Sequence, residues 1–204
     1  MARPPAEGTK RRIREAAAEL FARHGVGRTT VREIAAAADV NVAMVSHHFG
    51  GKEPLYRACL EAMYAELDGM QAQLLTALAE HDDLGRAVRE AVIGGYRYAC
   101  VHRPAARLVM RHVIDTGGVP QKRRDTLLVP FLDAASRPLA RRTGRSEAEL
   151  RTILMSLMFL TTRYALASAD ELAAVIGRPD ADATEVQATI ADRLAQQAVW
   201  MLGL

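Results

Sequence analysis

Apolar residues recur at helical spacing along almost the whole chain. Ile13, Ala16, Ala17, Leu20 and Phe21 fall at i, i+3, i+4, i+7 and i+8, which puts one apolar stripe on a first helix. Thr9 is its expected N-cap, and Gly25 and Gly27 end it. Thr30 then opens a second helix, where Glu33 three residues on completes a capping box and Ile34, Ala35 and Ala38 face inward. Asp39 and Val40 form a turn, and Asn41 caps a third short helix that reaches about His48. Gly50 and Gly51 break the chain again. A long helix begins at Lys52, with Pro54 tolerated in its first turn. Leu55, Cys59, Met63, Leu67, Met70, Leu74 and Leu78 carry its stripe as far as the polar break at His81–Asp83.

The same periodicity predicts further helices over 84–102, 104–115, 121–142, 147–169 and 183–202. Pro104 suits a first helical position, while Pro130 and Pro138 should kink or split the 121–142 segment. No stretch alternates with strand period, and no internal repeat appears. The fold class is therefore all-α: a three-helix N-terminal domain over 1–52 and a larger helical domain over 53–204.

The bulk properties narrow the partners. Half of the 204 residues are hydrophobic and a quarter charged, the balance of a soluble globular protein. No apolar run approaches the ~20 residues of a membrane span. The segment Met1 to Gly8 lacks the apolar core of a signal peptide, so a cytoplasmic protein is expected. Cys59 and Cys100 form no CxxC pair and read as small buried hydrophobes. Residues 1–57 hold ten Lys and Arg against six Asp and Glu, a net +4, while the remainder is −1. A basic excess confined to one end suits a domain that faces a polyanion.

A helix-turn-helix needs two short helices crossing steeply, with small residues at their contact. The alanines at 35, 36, 37, 38 and 43 supply small surfaces, and Ile34, Val40 and Val45 the apolar wedge. Helix N-termini attract phosphate through free N–H groups and the helix dipole, and Thr30 and Asn41 stand at two of them. His47, His48 and Lys52 follow on the same short module, Lys52 as a point charge within reach of a phosphate.

The run Ile13, Ala16-Ala17, Leu20-Phe21, Gly25, Thr29-Thr30-Val31-Arg32-Glu33-Ile34-Ala35, Val40, His48-Phe49-Gly50-Gly51-Lys52-Glu53 and Leu55-Tyr56 resembles the DNA-binding domain of the TetR family in residue type and in spacing. The resemblance covers about a quarter of the chain. It implies a homodimer whose third helices enter the major groove of a double-stranded DNA operator. It also implies a C-terminal domain that dimerises through its last two long helices and encloses a small-molecule pocket. Carried over by position, Thr30 would hold a phosphate, and Val42 and Ala43 would face the bases. His47 stands where the family often has an aromatic, and His48 and Lys52 match its backbone-contacting His and Lys. Two positions depart from the pattern. Ser46 replaces a frequent tyrosine, which shortens or removes a phosphate contact. Asp39 replaces the turn glycine, and Asp tolerates the left-handed conformation better than most residues. The stretch from Asn41 to Tyr56 resembles the CecR-like branch more narrowly; the C-terminal part, with Arg111 before a loop and a later Pro138, resembles it only loosely.

The recognition helix has no Arg, Lys or Gln from 42 to 46. Readout would rest on Val42 or Ala43 against a thymine methyl and on His47 as the polar reader, with Arg28 or Arg32 near the backbone contributing through DNA shape.

In the C-terminal part, Ile153, Leu154, Leu157 and Leu160 together with Met155, Met158 and Phe159 make the 147–169 helix apolar nearly all round. Such a helix is buried on more than one side. The last helix has a single stripe of Val186, Ile190, Leu194, Ala198 and Met201. Pairing both across a two-fold axis would give a four-helix homodimer interface, and packing within the chain's own core accounts for these residues nearly as well. Candidate ligand groups are polar or bulky residues set into apolar helices: Tyr96, Tyr98, Arg107, Arg111, His112, Met155, Phe159, Arg163 and Tyr164; a buried Arg or Tyr among them needs a partner, either a ligand carboxylate or a neighbouring acid of the chain. No HExxH, His/Cys cluster, GxSxG, P-loop or GxGxxG occurs, so neither a metal, a cofactor nor catalysis is expected. The reading is a ligand-responsive repressor with an unknown small-molecule effector; the alternative is a DNA-binding dimer without an effector.

Overall fold

The first stripe folds as α1 (Pro5–Arg28), broken at Gly25, where φ 77° and ψ 163° leave helical space. It starts upstream of the expected Thr9 cap. Proline costs nothing in a first turn, where its missing N–H has no partner to lose, and Glu7 complements the dipole there. The computed structural model describes residues 5–80 and 83–204. His81 lies outside them, and the side chains of Leu67, Met70, Leu74 and Leu78 lie outside those described.

After α1 come α2 (Val31–Ala37), α3 (Val42–Phe49), α4 (Lys52–Glu80), α5 (Leu84–Val101) and α6 (Arg103–Thr116). A short α7 (Gln121–Arg123) runs through a π-helical stretch, Arg124–Leu128, into α8 (Val129–Thr143); α9 (Glu147–Leu166), α10 (Ala169–Val175) and α11 (Ala183–Leu202) complete the chain. The fold is all-α, and no strand occurs among the described residues.

The chain divides into two compact units, Met1–Leu67 with Pro104–Val119, and Asp68–Arg103 with Pro120–Leu204. In the first, Ile13, Ala17 and Phe21 of α1, Ile34 and Ala35 of α2, Val45 of α3, Leu55 and Cys59 of α4 and Leu108 of α6 are buried. Each fully buried large side chain contributes roughly 1.5–3 kcal/mol, which holds helices too short to persist alone. Burial also pushes the Cys59 thiol up to about 12, so it stays protonated and packs as a small hydrophobe.

In the second unit α5 packs on α9 and α11, and α8 on α9. One core gathers Leu84, Val88, Phe131, Leu139, Leu150 and Leu157; another gathers Tyr96, Ala165, Leu172, Val186, Ile190 and Leu194. The proline-bearing 121–142 segment is split as expected. Pro130 has no N–H for the carbonyl one turn back, and the backbone widens ahead of it, with Val129 N–H reaching Arg124 C=O. Pro138 is accommodated inside α8. The predicted 147–169 helix ends earlier, at Leu166. Ala167 turns extended, and Ser168 caps α10 by accepting from Glu171 N–H at 3.1 Å. No helix among the described residues is by itself long and apolar enough to cross a membrane.

Candidate nucleic-acid interface

Thr30 Oγ1 accepts from Glu33 N–H at 3.2 Å, and Glu33 Oε2 accepts from Thr30 N–H at 2.7 Å, closing the capping box that starts α2. The backbone and side-chain donors of Thr30 hold the Glu33 carboxyl below the usual carboxylate range. Thr30 Oγ1 also donates to Glu33 Oε2 at 2.9 Å, so its proton is already engaged. Asp39 takes φ 53°, the left-handed turn its position requires. Asn41 Oδ1 then accepts from Met44 N–H at 3.0 Å and starts α3. Gly50 ends α3 at φ 78°, with its N–H on Ser46 C=O at 2.8 Å.

These caps fix which side of α3 turns out. Val45 is buried, whereas Asn41, Val42, Ala43, Ser46 and His47 are exposed along the N-terminal half and outer face. Val42 is 43% exposed. One expectation needs correcting: of the five alanines assigned to the inter-helix contact, Ala35 and Ala38 are buried, but Ala36, Ala37 and Ala43 face solvent. A 3.6-residue period cannot place four consecutive alanines on one face. Arg28, Arg32 and the ring of His47 are exposed nearby in sequence. His48 is half-buried, its Nε2 is shut off from solvent without a partner, and its ring lies edge-on to His47 at 5.2 Å.

Lys52 is placed differently from a freely projecting charge. Its Nζ donates to Val26 C=O at 2.8 Å and ties the start of α4 to the segment after Gly25. An ammonium has three donors, so two remain beyond this bond.

The sequence reading overlooked what surrounds Gly25. Thr29, 1% exposed, donates its hydroxyl to Gly25 C=O at 2.8 Å and to Leu20 C=O at 3.3 Å. Arg111 of α6 lies against Gly25, and a Cβ there would meet its Nη1 at 2.6 Å. His112, on the same helix, shares a 3.0 Å hydrogen bond with the Tyr56 hydroxyl, and Tyr56 in turn packs edge-on to Phe21.

With this geometry in hand, the profile of bacterial regulatory proteins of the tetR family matches residues 13–59, from the buried Ile13 of α1 to Cys59 of α4. Residues 13–59 are a tetR-family DNA-binding segment. The TetR-type stretch is 50% identical over 64 residues to the HTH-type transcriptional regulatory protein RaaS of Mycobacterium tuberculosis, covering 31% of this chain and 30% of that protein. It is 31% identical over 97 residues to the HTH-type transcriptional repressor NicS of Pseudomonas putida, covering 48% and 44%. The matches thus span less than half the length of both curated relatives. The fold likeness extends further: a TetR-like transcriptional regulator from Rhodococcus sp. RHA1 superposes with a TM-score of 0.64 over 98% of each chain at 19% identity. TetR-family members are transcription regulators rather than enzymes.

The candidate ligand residues fall in both units. Arg107, Arg111 and His112 belong to the first unit; Tyr96, Met155, Phe159, Arg163 and Tyr164 belong to the second. Arg107 is exposed, Arg163 is exposed and paired with Glu171, and Met155 and Phe159 are 42% and 51% exposed on the outer face of α9. Tyr98 stacks on His102 at 4.2 Å. Tyr96 is buried, and Tyr164 packs against the same core.

Proposed function

We propose that this chain is a homodimeric repressor that releases a near-palindromic operator when a small molecule binds its larger helical unit. The observation that carries the DNA-binding part is the outward row Asn41, Val42, Ala43, Ser46 and His47, held on a helix capped at both ends. In this reading Val42 and Ala43 meet base edges, His47 supplies the polar contact, and Thr30, His48 and Lys52 hold phosphates. The capping of α2 bears on Thr30: its N–H and its hydroxyl both donate to the Glu33 carboxylate, so either must let go of Glu33 before it reaches a phosphate.

The dimer reading draws on exposed apolar surface. The expected α11 stripe of Val186, Ile190, Leu194 and Ala198 is buried in the chain's own core. What α11 and its neighbour α9 leave outside is Trp200, 78% exposed, with Met155 and Phe159 one turn apart. Apolar groups of this size on two adjacent helices mark a protein contact better than a solvated face. A dimer would carry its recognition helices about 34–36 Å apart, one turn of B-DNA. An effector that alters this spacing needs a coupling of only ~1–3 kcal/mol.

The rival, a DNA-binding dimer without an effector, gains from one observation. His112 and Arg163 already have partners inside the protein, which gives two of the candidate ligand groups a structural role of their own.

Selection of bound duplexes from a random library tests the main reading. The expected product is a two-fold symmetric sequence whose half-sites lie one helical turn apart, with affinity that falls steeply with salt. A salt-insensitive monomer that enriches no duplex rules the reading out.

A further inference from the structure

Tyr96, Cys100 and Arg103 follow one another at i, i+4 and i+7 and all belong to the second unit. Tyr96 is 1% exposed, with Ala165, Leu172, Val186 and Ile190 in the core around it. Its hydroxyl is buried without a hydrogen-bond partner, and the weakly bonding Cys100 thiol is among the groups that act on it. Burial raises the phenol well above its ordinary range, so the group is a hydroxyl donor at any working pH.

Arg103 lies close enough to Tyr96 to act on it electrostatically, and its Nε is also buried and unpartnered. Its Nη2 makes one long hydrogen bond, 3.3 Å, to Ala167 C=O, and no carboxylate among the described residues pairs with it. Two buried, unpartnered donor atoms, one of them on a cation without a carboxylate partner among the described residues, therefore stand two turns apart on one stretch of the second unit. Protein interiors rarely leave such groups unmatched. Gly95, half-buried in the middle of α5, adds a second anomaly. A Cβ there would meet nothing, so neither close packing nor a positive φ calls for glycine, although glycine weakens a helix interior.

We propose that Tyr96 and Arg103 form the polar end of a site for an apolar carboxylic acid. One carboxylate oxygen takes the Tyr96 O–H and the other the Arg103 guanidinium edge, while the apolar body lies along α5 past Gly95. A carboxylate fits better than a phosphate, because its single charge and two oxygens match one hydroxyl and one guanidinium. The inference rests on the ligand-responsive reading and gives the effector a chemical class.

The test uses the full chain and three probe acids, octanoate, decanoate and benzoate, with octanol, decanol and benzyl alcohol as uncharged counterparts. Calorimetry and thermal unfolding should show saturable binding of at least one acid and none of its alcohol. Tyr96→Phe and Arg103→Gln should each weaken that acid roughly tenfold to a hundredfold, the usual worth of a hydrogen bond to a charged group. Tyr96→Phe should melt no lower than the parent, since its hydroxyl has no bond to lose, and Arg103→Lys should retain more affinity than Arg103→Gln. Silence from all three acids, or unchanged affinity in both variants, overturns the proposal. Operator release is measured separately: an acid that binds without releasing DNA upholds the site and counts against the ligand-responsive reading. Release by an uncharged molecule alone does the reverse.

Discussion

The Tyr56 hydroxyl and His112 Nδ1 lie 3.0 Å apart, joining the first turns of α4 to the C-terminal half of α6. Tyr56 also meets Phe21 edge-on at 5.4 Å, so one aromatic side chain links α6 to the buried stripe of α1. Burial is the main influence on the imidazole and lowers its pKa from the ordinary 6.5, partly opposed by Asp115. Arg111, Asp115 and Glu53 are the charges that act on Tyr56.

Acid should loosen this link. His112 is a base whose folded-state pKa lies below its unfolded value, so the unfolded chain binds the proton more readily. Its contribution is fully present at neutral pH and above. It is lost as the pH falls from about 6.5 through the lower folded value. Thermal unfolding between pH 7.5 and 5 should show this fall in the parent and a shallower one in His112→Gln, whose amide can still bond Tyr56. Equal slopes in the two proteins would remove His112 as the source.

Gly25 should be hard to replace. Its φ of 77° and ψ of 163° belong to a region open essentially to glycine alone, and a Cβ would stand 2.6 Å from Arg111 Nη1. Backbone strain of this kind costs about 1–3 kcal/mol, and displacing the guanidinium adds to it. Gly25→Ala should therefore lower the melting temperature by several degrees. Adding Arg111→Ala should recover part of the loss but not all, because it relieves the contact and leaves the dihedral. Full recovery would assign the whole effect to the contact, and no recovery would assign it to the backbone.

These two relationships show where sequence reasoning stops. The helix-turn-helix was legible because its signals are local: Thr30 with Glu33, Asn41 with Met44 and Gly50 with Ser46 act across three or four residues. The αL turn at Asp39 was legible for the same reason. Arg111 and His112 looked like ligand groups because a polar residue in an apolar helix only declares that it needs a partner. That Arg111 packs against Gly25 and His112 bonds Tyr56 depends on tertiary packing. The fate of the α11 stripe was hidden similarly, since a stripe says that a face is covered but not by which chain. The missed α10 is a local failure: Ala165, Leu166 and Ala167 read as helix continuing, and the Ser168 cap was passed over.

Lys52 and His47 should separate into two kinds of DNA contact. A phosphate contact adds affinity on every sequence and releases a counterion, whereas a base contact adds discrimination. Lys52→Met keeps most of the stem while removing the charge. It should weaken binding to all duplexes alike and reduce the slope of log affinity against log salt by about one. It also removes the 2.8 Å bond to Val26 C=O, so a modest fall in melting temperature, about 1 kcal/mol in stability, should accompany it. Should stability fall while the salt slope stays put, Lys52 acts only as a tie between α4 and the Gly25 segment. His47→Ala, on an exposed ring with no such structural bond described, should leave melting unchanged and relax preference at one operator position in each half-site. Uniform weakening across sequences would place the His47 ring on the sugar-phosphate backbone and leave base readout to Val42 and Ala43.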